Sequence, residues 1–271
     1  MKKILVIFCL MMFNLAFATT DWNSTAALKR VNTIGTKLLK ANNVNYDIEF
    51  KVSNEEDVNA YANLDKEIYV YKGLLEFVDN DEELAGVIGH EMGHIINGHC
   101  AKQGVLGTAI AVFANLVSKN EIVTAMGTTL AQSKLSRNDE FEADITGVDL
   151  MEKAGYNPLA MVSLLNKISG NYIDILQTHP SGEKRILNVY NYVDYNYNSK
   201  ISKGYPTDSY QKALVMIKPT IEKRKNSEAL AQKFNKQQEK LLKKKEKRAK
   251  KMQGTSSVWD GYYTTLQYLA N

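Results

Sequence analysis

Apolar residues recur at helical spacing from Ala27 to Ala41, where Leu28, Val31, Ile34, Leu38 and Leu39 share one face. From Tyr46 to Val52 the period shortens to two, which predicts a strand. Ile68–Tyr71 reads as a second strand, and Asn59–Asn63 between them as a third, at an edge. Leu84–His99 is expected to form a helix. Gly104–Val117 and Ile122–Leu130 are apolar helical stretches parted by the polar run Ser118–Glu121. A buried helical hairpin is the expectation for 104–130, because apolar segments this short are more often core than membrane; a lid over a cleft or a lipid contact also fits. Further helices are expected at Arg137–Lys153, Pro158–Ile168 and Gly182–Tyr192, and Asp194–Tyr205 reads as a loop. Helices around a small sheet make a mostly helical α+β domain.

The two ends depart from this pattern. Lys2 and Lys3 precede an unbroken apolar run, Ile4–Phe13, and Ala16-Phe17-Ala18 follows it. That is the layout of a secretory signal peptide over 1–18, so the chain is expected to be exported, to a periplasm or to the medium. The run falls short of the roughly 20 residues a membrane span needs. Once it is removed, Cys100 is the only cysteine, so the mature chain forms no internal disulfide and depends on its core. With 44% hydrophobic and 24% charged residues, the 271-residue chain is neither wholly disordered nor polytopic. Its net charge of +4 is unevenly spread: Ile221–Met252 alone carries +9, leaving the body mildly acidic. This Lys-rich segment, 220–252, reads as an extended helix that is either simply solvated or in contact with an anionic membrane surface or another polyanion. It lacks interleaved aromatics, and no nucleic acid is expected as a partner. A short aromatic segment, 253–271, closes the chain.

Chemistry concentrates in His90-Glu91-Met92-Gly93-His94. On a helix the two histidines lie one turn apart on one face, where both imidazoles can reach one zinc ion at about 2.0–2.1 Å. Glu91, beside the first, can serve as general base toward a metal-bound water. A hydrolytic site needs a third protein ligand and an open fourth position. The pattern H-E-x-x-H-x-x-G-x-x-H would require glycine at 97 and histidine at 100, where the chain has Asn97 and Cys100; Gly98 and His99 stand out of register. A closed thiolate site through Cys100 would suit structure better than hydrolysis. A later helix offers carboxylates in Glu140-Phe141-Glu142-Ala143-Asp144. Glu140 and Asp144 share a face, and Glu142 is about 200° round from Glu140. Glu140 could then ligate metal while Asp144 accepts a hydrogen bond from a ligand imidazole. His99, about 140° round the expected helix from His94, is assigned a structural role.

These motifs, with Asn59–Ala62, Ile68–Leu75, Glu83–His94, Ser136-Arg137, Thr178-His-Pro-Ser181 and Arg185, resemble peptidase family M48, the zinc metallopeptidases that group CAAX prenyl proteases with HtpX-like and bacterial envelope quality-control proteases. The resemblance covers roughly 28–195, within a zincin-type metallopeptidase domain set at 19–219. It implies one zinc per chain held by His90, His94 and Glu140, with Glu91 as the catalytic base. It also implies an edge strand at Asn59–Ala62 to which an extended peptide adds, and His179 in a loop near the metal, stabilising the tetrahedral intermediate or filling the open position at rest. Asp144 and Arg185 are the supporting candidates. The implied function is hydrolysis of peptide bonds in polypeptides, in cell-envelope protein quality control. The soluble, exported members fit better than the HtpX-like ones, because Lys119 and Glu121 interrupt the apolar segment. The competing reading is a non-cleaving envelope chaperone on the same scaffold.

Overall fold

The computed structural model describes residues 23–44, 47–103, 137–171 and 182–253. Twelve named elements follow in order: α1 (Ser24–Ala41), β1 (Glu49–Ser53), β2 (Ala60–Ala62), β3 (Glu67–Tyr71), α2 (Lys72–Phe77), α3 (Asp81–Ile96), α4 (Arg137–Lys153), α5 (Leu159–Asn171), α6 (Glu183–Asn196), α7 (Asn198–Lys203), α8 (Asp208–Lys225) and α9 (Glu228–Gln253). The strands run in the order β1-β3-β2, with β1 parallel and β2 antiparallel to β3. Phe50, Ala60, Ile68 and Val70 turn to the core. On the opposite face Tyr61 stacks on Tyr69 at 5.0 Å and meets Tyr71 edge-on at 6.1 Å. The expected α+β class, mostly helical with a small sheet, is the observed one, and β2 lies at an edge.

Helix α3 is the centre of the domain. Asn80 caps it, its side chain accepting from the Glu82 and Glu83 N–H groups, and three acidic residues occupy the first turn, where the helix dipole favours them. Every residue from Glu83 to Ile95 is buried, which explains why no amphipathic stripe marks this helix. Glu83 is a buried carboxylate satisfied by the Asp79 N–H at 3.0 Å, the Ser163 hydroxyl at 2.8 Å and Lys167 Nζ at 3.0 Å, which ties α3 to α5.

Helix α4 packs against α3 at backbone contact. A Cβ on Gly93 would stand 2.6 Å from the Ala143 carbonyl oxygen, and one on Gly147 would stand 2.9 Å from the Gly89 carbonyl carbon. Those neighbours are backbone atoms and cannot yield. The glycines at 89, 93 and 147 therefore let the two helices approach more closely than any side chain would allow.

The structure revises several expected boundaries. The strand expected from Tyr46 begins at Glu49, while Tyr46 itself lies outside the described residues. The helix expected to reach His99 stops at Ile96: Asn97 caps it, Gly98 takes φ 70°, and a helical stretch restarts at 99–103. Glycine in the left-handed region is the usual stop one residue past a helix cap. The loop expected at Asp194–Tyr205 contains the end of α6 and all of α7, anchored by the Tyr197 hydroxyl on Asp149 at 2.6 Å. The basic segment is not one helix; it spans the end of α8 and most of α9, with a break at Asn226-Ser227. Nor is it free of the domain. Lys244 pairs with Glu142 and Lys245 with Asp149, both on α4, and the Lys245 ammonium also donates to the Tyr192 hydroxyl at 2.7 Å. Leu241 and Leu242 pack on the core. The apolar stretch 104–130 lies outside the described residues. Among the described residues no helix is long and apolar enough to cross a membrane.

Candidate metal centre

Helix α3 carries His90, Glu91 and His94, and α4 carries Glu140 and Asp144, all five buried. The close α3–α4 approach brings three ligand atoms together. His90 Nε2 lies 3.0 Å from His94 Nε2, His90 Nε2 is 3.6 Å from Glu140 Oε2, and His94 Nε2 is 3.5 Å from Glu140 Oε1. Zinc bonds of about 2.0–2.1 Å in a tetrahedron give ligand–ligand edges of about 3.3 Å. The three atoms thus span one face of such a tetrahedron and leave the fourth corner for a non-protein group.

The surroundings of His90 make the same point. Asp144 Oδ1 lies 2.8 Å from His90 Nδ1, which places the ring proton on Nδ1 and leaves Nε2 a bare lone pair aimed at the shared space. Arg185, from α6, holds Asp144 through two hydrogen bonds of 2.8 Å and 2.7 Å and reaches Glu140 Oε2 at 2.8 Å. Burial alone would raise the Asp144 pKa. The Arg185 charge and the hydrogen bonds from His90 and Arg185 outweigh it and hold the carboxyl at about 2. Asp144 is therefore a fixed anion, and the tautomer it imposes on His90 is fixed with it.

Other candidates fall elsewhere. Cys100 stays outside the cluster, its thiol 3.5 Å from the Ala62 carbonyl oxygen and pushed up to about 12 by burial and then by the charge of Glu91. A thiol held protonated in this way is a poor metal ligand. His179 and the motif around it lie outside the described residues. Glu142 points away from Glu140 to His99, with Oε2 3.5 Å from His99 Nε2, and to Lys244. The sequence reading missed the place of His99. The break at Asn97-Gly98 turns it back so that its Nδ1 lies 3.0 Å from His94 Nδ1. The signal was the Asn-Gly pair itself, a helix stop that the histidine motif obscured.

An expected outcome follows for the carboxylates. Glu140→Gln should lose most of its bound zinc, whereas Glu142→Gln should still take up a full equivalent. Metal content after gel filtration decides it, and equal loss in both variants would remove Glu140 from the ligand set.

The family described as Peptidase family M48 matches residues 25–193. Among curated proteins, the chain is 27% identical to a beta-barrel assembly-enhancing protease of Yersinia pestis, over 67% of this chain and 40% of that one. It is 34% identical to metalloprotease LoiP of Escherichia coli strain K12, over 59% of this chain and 68% of the relative. Against mitochondrial metalloendopeptidase OMA1 of Arabidopsis thaliana the identity is 37%, over 51% of this chain and 30% of the relative. The chain thus spans about two fifths of the length of the assembly-enhancing proteases it matches.

Proposed function

Because the chain belongs to peptidase family M48, we propose that it is a zinc-dependent metalloendopeptidase. The observation that carries this reading is the buried His90–His94–Glu140 cluster with Glu91 next to it on α3. A zinc ion held by those three residues would polarise the scissile carbonyl and acidify the attacking water. Glu91 takes the proton from that water and returns it to the leaving amine. Asp144 keeps the His90 ring in place, and Arg185 keeps Asp144 ionised and pairs with both α4 carboxylates. Substrates are polypeptides presented as extended segments, with the β2 edge at Asn59–Ala62 offering backbone groups to pair with.

The setting we propose is cell-envelope protein quality control, after export directed by residues 1–18. The name of the beta-barrel assembly-enhancing relatives supports it. Lysines of α9 that do not face α4, such as Lys233, Lys236, Lys240 and Lys243, are exposed and give the helix a cationic outer surface suited to an anionic membrane.

Purified protein should contain one zinc per chain and cleave casein, and a chelator should abolish both until zinc is restored. Cleavage that persists in the metal-free protein would overturn the mechanism. Unfolded protein bound but never cut by the zinc-loaded form would favour the chaperone alternative.

A further inference from the structure

We propose that His99 is a positioning residue for the metal centre: its Nδ1 accepts the Nδ1–H of His94 and so fixes the tautomer that turns His94 Nε2 toward the ion. The inference rests on the metallopeptidase reading above. It begins with the asymmetry of the two α3 ligands. His90 has a carboxylate behind it, Asp144, at 2.8 Å. Behind His94 stands another imidazole, that of His99, with Nδ1 to Nδ1 at 3.0 Å.

The local sequence builds this contact. Asn97 Nδ2 donates to the Gly93 carbonyl at 2.8 Å and to the Thr146 hydroxyl at 2.9 Å, pinning the end of α3 to α4. Gly98, at φ 70°, reverses the chain. His99 then enters the interior, 2% exposed, with its ring centre 5.1 Å from that of His94.

At 3.0 Å a single proton lies between the two Nδ1 atoms. When His94 ligates through Nε2, that proton belongs to His94, because a neutral imidazole carries one proton and Nε2 has none. His99 must then present a bare Nδ1 and carry its own proton on Nε2. The groups around Nε2 favour this: Glu142 Oε2 lies at 3.5 Å and Asp139 Oδ1 at 3.7 Å. Polarity therefore runs one way, from metal to His94, from His94 to His99, and from His99 to two carboxylates. Lys102, 3.4 Å from both Asp139 oxygens, and Lys244, paired with Glu142, offset the charge of those carboxylates.

The same atoms admit a different use. His99, Asp139 and Glu142 offer ligand atoms within 4.8 Å of one another, a possible second cation site. Filling it through His99 Nε2 while His94 holds the first ion would leave both Nδ1 atoms protonated and facing each other at 3.0 Å. Two donors cannot share that gap, so the hydrogen-bonded arrangement and a second ion exclude one another. The two nearby lysines add to the case against a second ion.

The test measures zinc affinity by competition with a chromophoric chelator, on full-length wild type, His99→Leu and His99→Asn. His99→Leu should bind zinc about 10–100-fold more weakly, the usual effect of removing a group that supports a ligand. His99→Asn places an amide oxygen near the lost Nδ1 and should recover affinity to within a few-fold of wild type. Melting of the three zinc-free proteins separates positioning from packing, since a purely structural role would not make affinity follow the acceptor. If the leucine variant does not fold, imidazole ¹⁵N spectra of zinc-loaded wild type give the answer directly, with His99 expected protonated on Nε2 and bare on Nδ1. Wild-type affinity in His99→Leu, the opposite tautomer in the spectra, or a second zinc that Glu142→Gln removes would each overturn the proposal. A wild type that binds no zinc would overturn the metallopeptidase reading, a failure seen before any variant is compared.

Discussion

Glu91→Gln should keep its zinc and lose at least about 10²-fold, and as much as 10⁴-fold, of its peptide hydrolysis, the range general acid–base catalysis typically supplies. Glutamine nearly matches glutamate in shape, so the buried site on α3 has no reason to repack. The three ligand atoms belong to other residues, and their mutual distances do not depend on residue 91. What the amide lacks is a lone pair basic enough to take a proton from water and hand it to the departing amine. The variant should therefore bind polypeptide and release it uncut. Turnover of an unfolded protein by wild type and variant, each with zinc content measured, is the check. Equal turnover by two zinc-replete proteins would show that some other group moves the proton.

Arg185→Met should destabilise the protein by about 3–5 kcal/mol, the usual consequence of removing one partner from a buried charge cluster. In a domain of this size that lowers the melting temperature by roughly 6–20 °C. Arg185 faces two wholly buried carboxylates, Glu140 and Asp144, and methionine would leave both without their cation. The loss should be larger without zinc, because a bound ion offsets the charge of Glu140 alone. The variant should also respond differently to acid. In wild type the Asp144 pKa is depressed to about 2, below its ordinary 3.8. Its stabilising contribution is thus fully present above about pH 4 and fades as pH falls through about 2. Without Arg185, burial dominates and the Asp144 pKa rises, so mild acid should narrow the gap between variant and wild type. Melting curves of both proteins across pH, with and without zinc, test the whole statement. An unchanged melting temperature in the zinc-free variant would remove Arg185 from its assigned place.

Where a residue acts through its local register, the sequence made it legible. His90 and His94 at i and i+4, and Glu140 and Asp144 at i and i+4, are facts of helical geometry that hold before any tertiary contact forms. The edge position of Asn59–Ala62 was what the family resemblance implied, and the strand order β1-β3-β2 agrees with it. Structure departs from sequence where the chain reverses. A histidine-rich run hid the Asn97-Gly98 stop, and a helix carried through it puts His99 on the wrong side of α3. The buried role of Glu83 was equally hidden, because its partners Ser163 and Lys167 are some eighty residues away. For the Lys-rich segment, charge density suggested exposure, yet Lys244 and Lys245 serve as tethers to α4. A run of like charges reports average character and says nothing of which members face a carboxylate.

The bare contact between α3 and α4 sets a scale for the whole centre. Glycines at 89, 93 and 147 leave no side chain between the backbones, so the separation of the ligand-bearing helices is fixed by carbon and oxygen radii. An ion held by His90, His94 and Glu140 would find its three ligand atoms already gathered. Little of its binding free energy then goes into pulling helices together, in contrast to small zinc domains that fold only around their metal. Contact between hard atoms also sets a lower limit: the two helices could not close further around a smaller cation, so a preference among metals would depend partly on residues that never touch one.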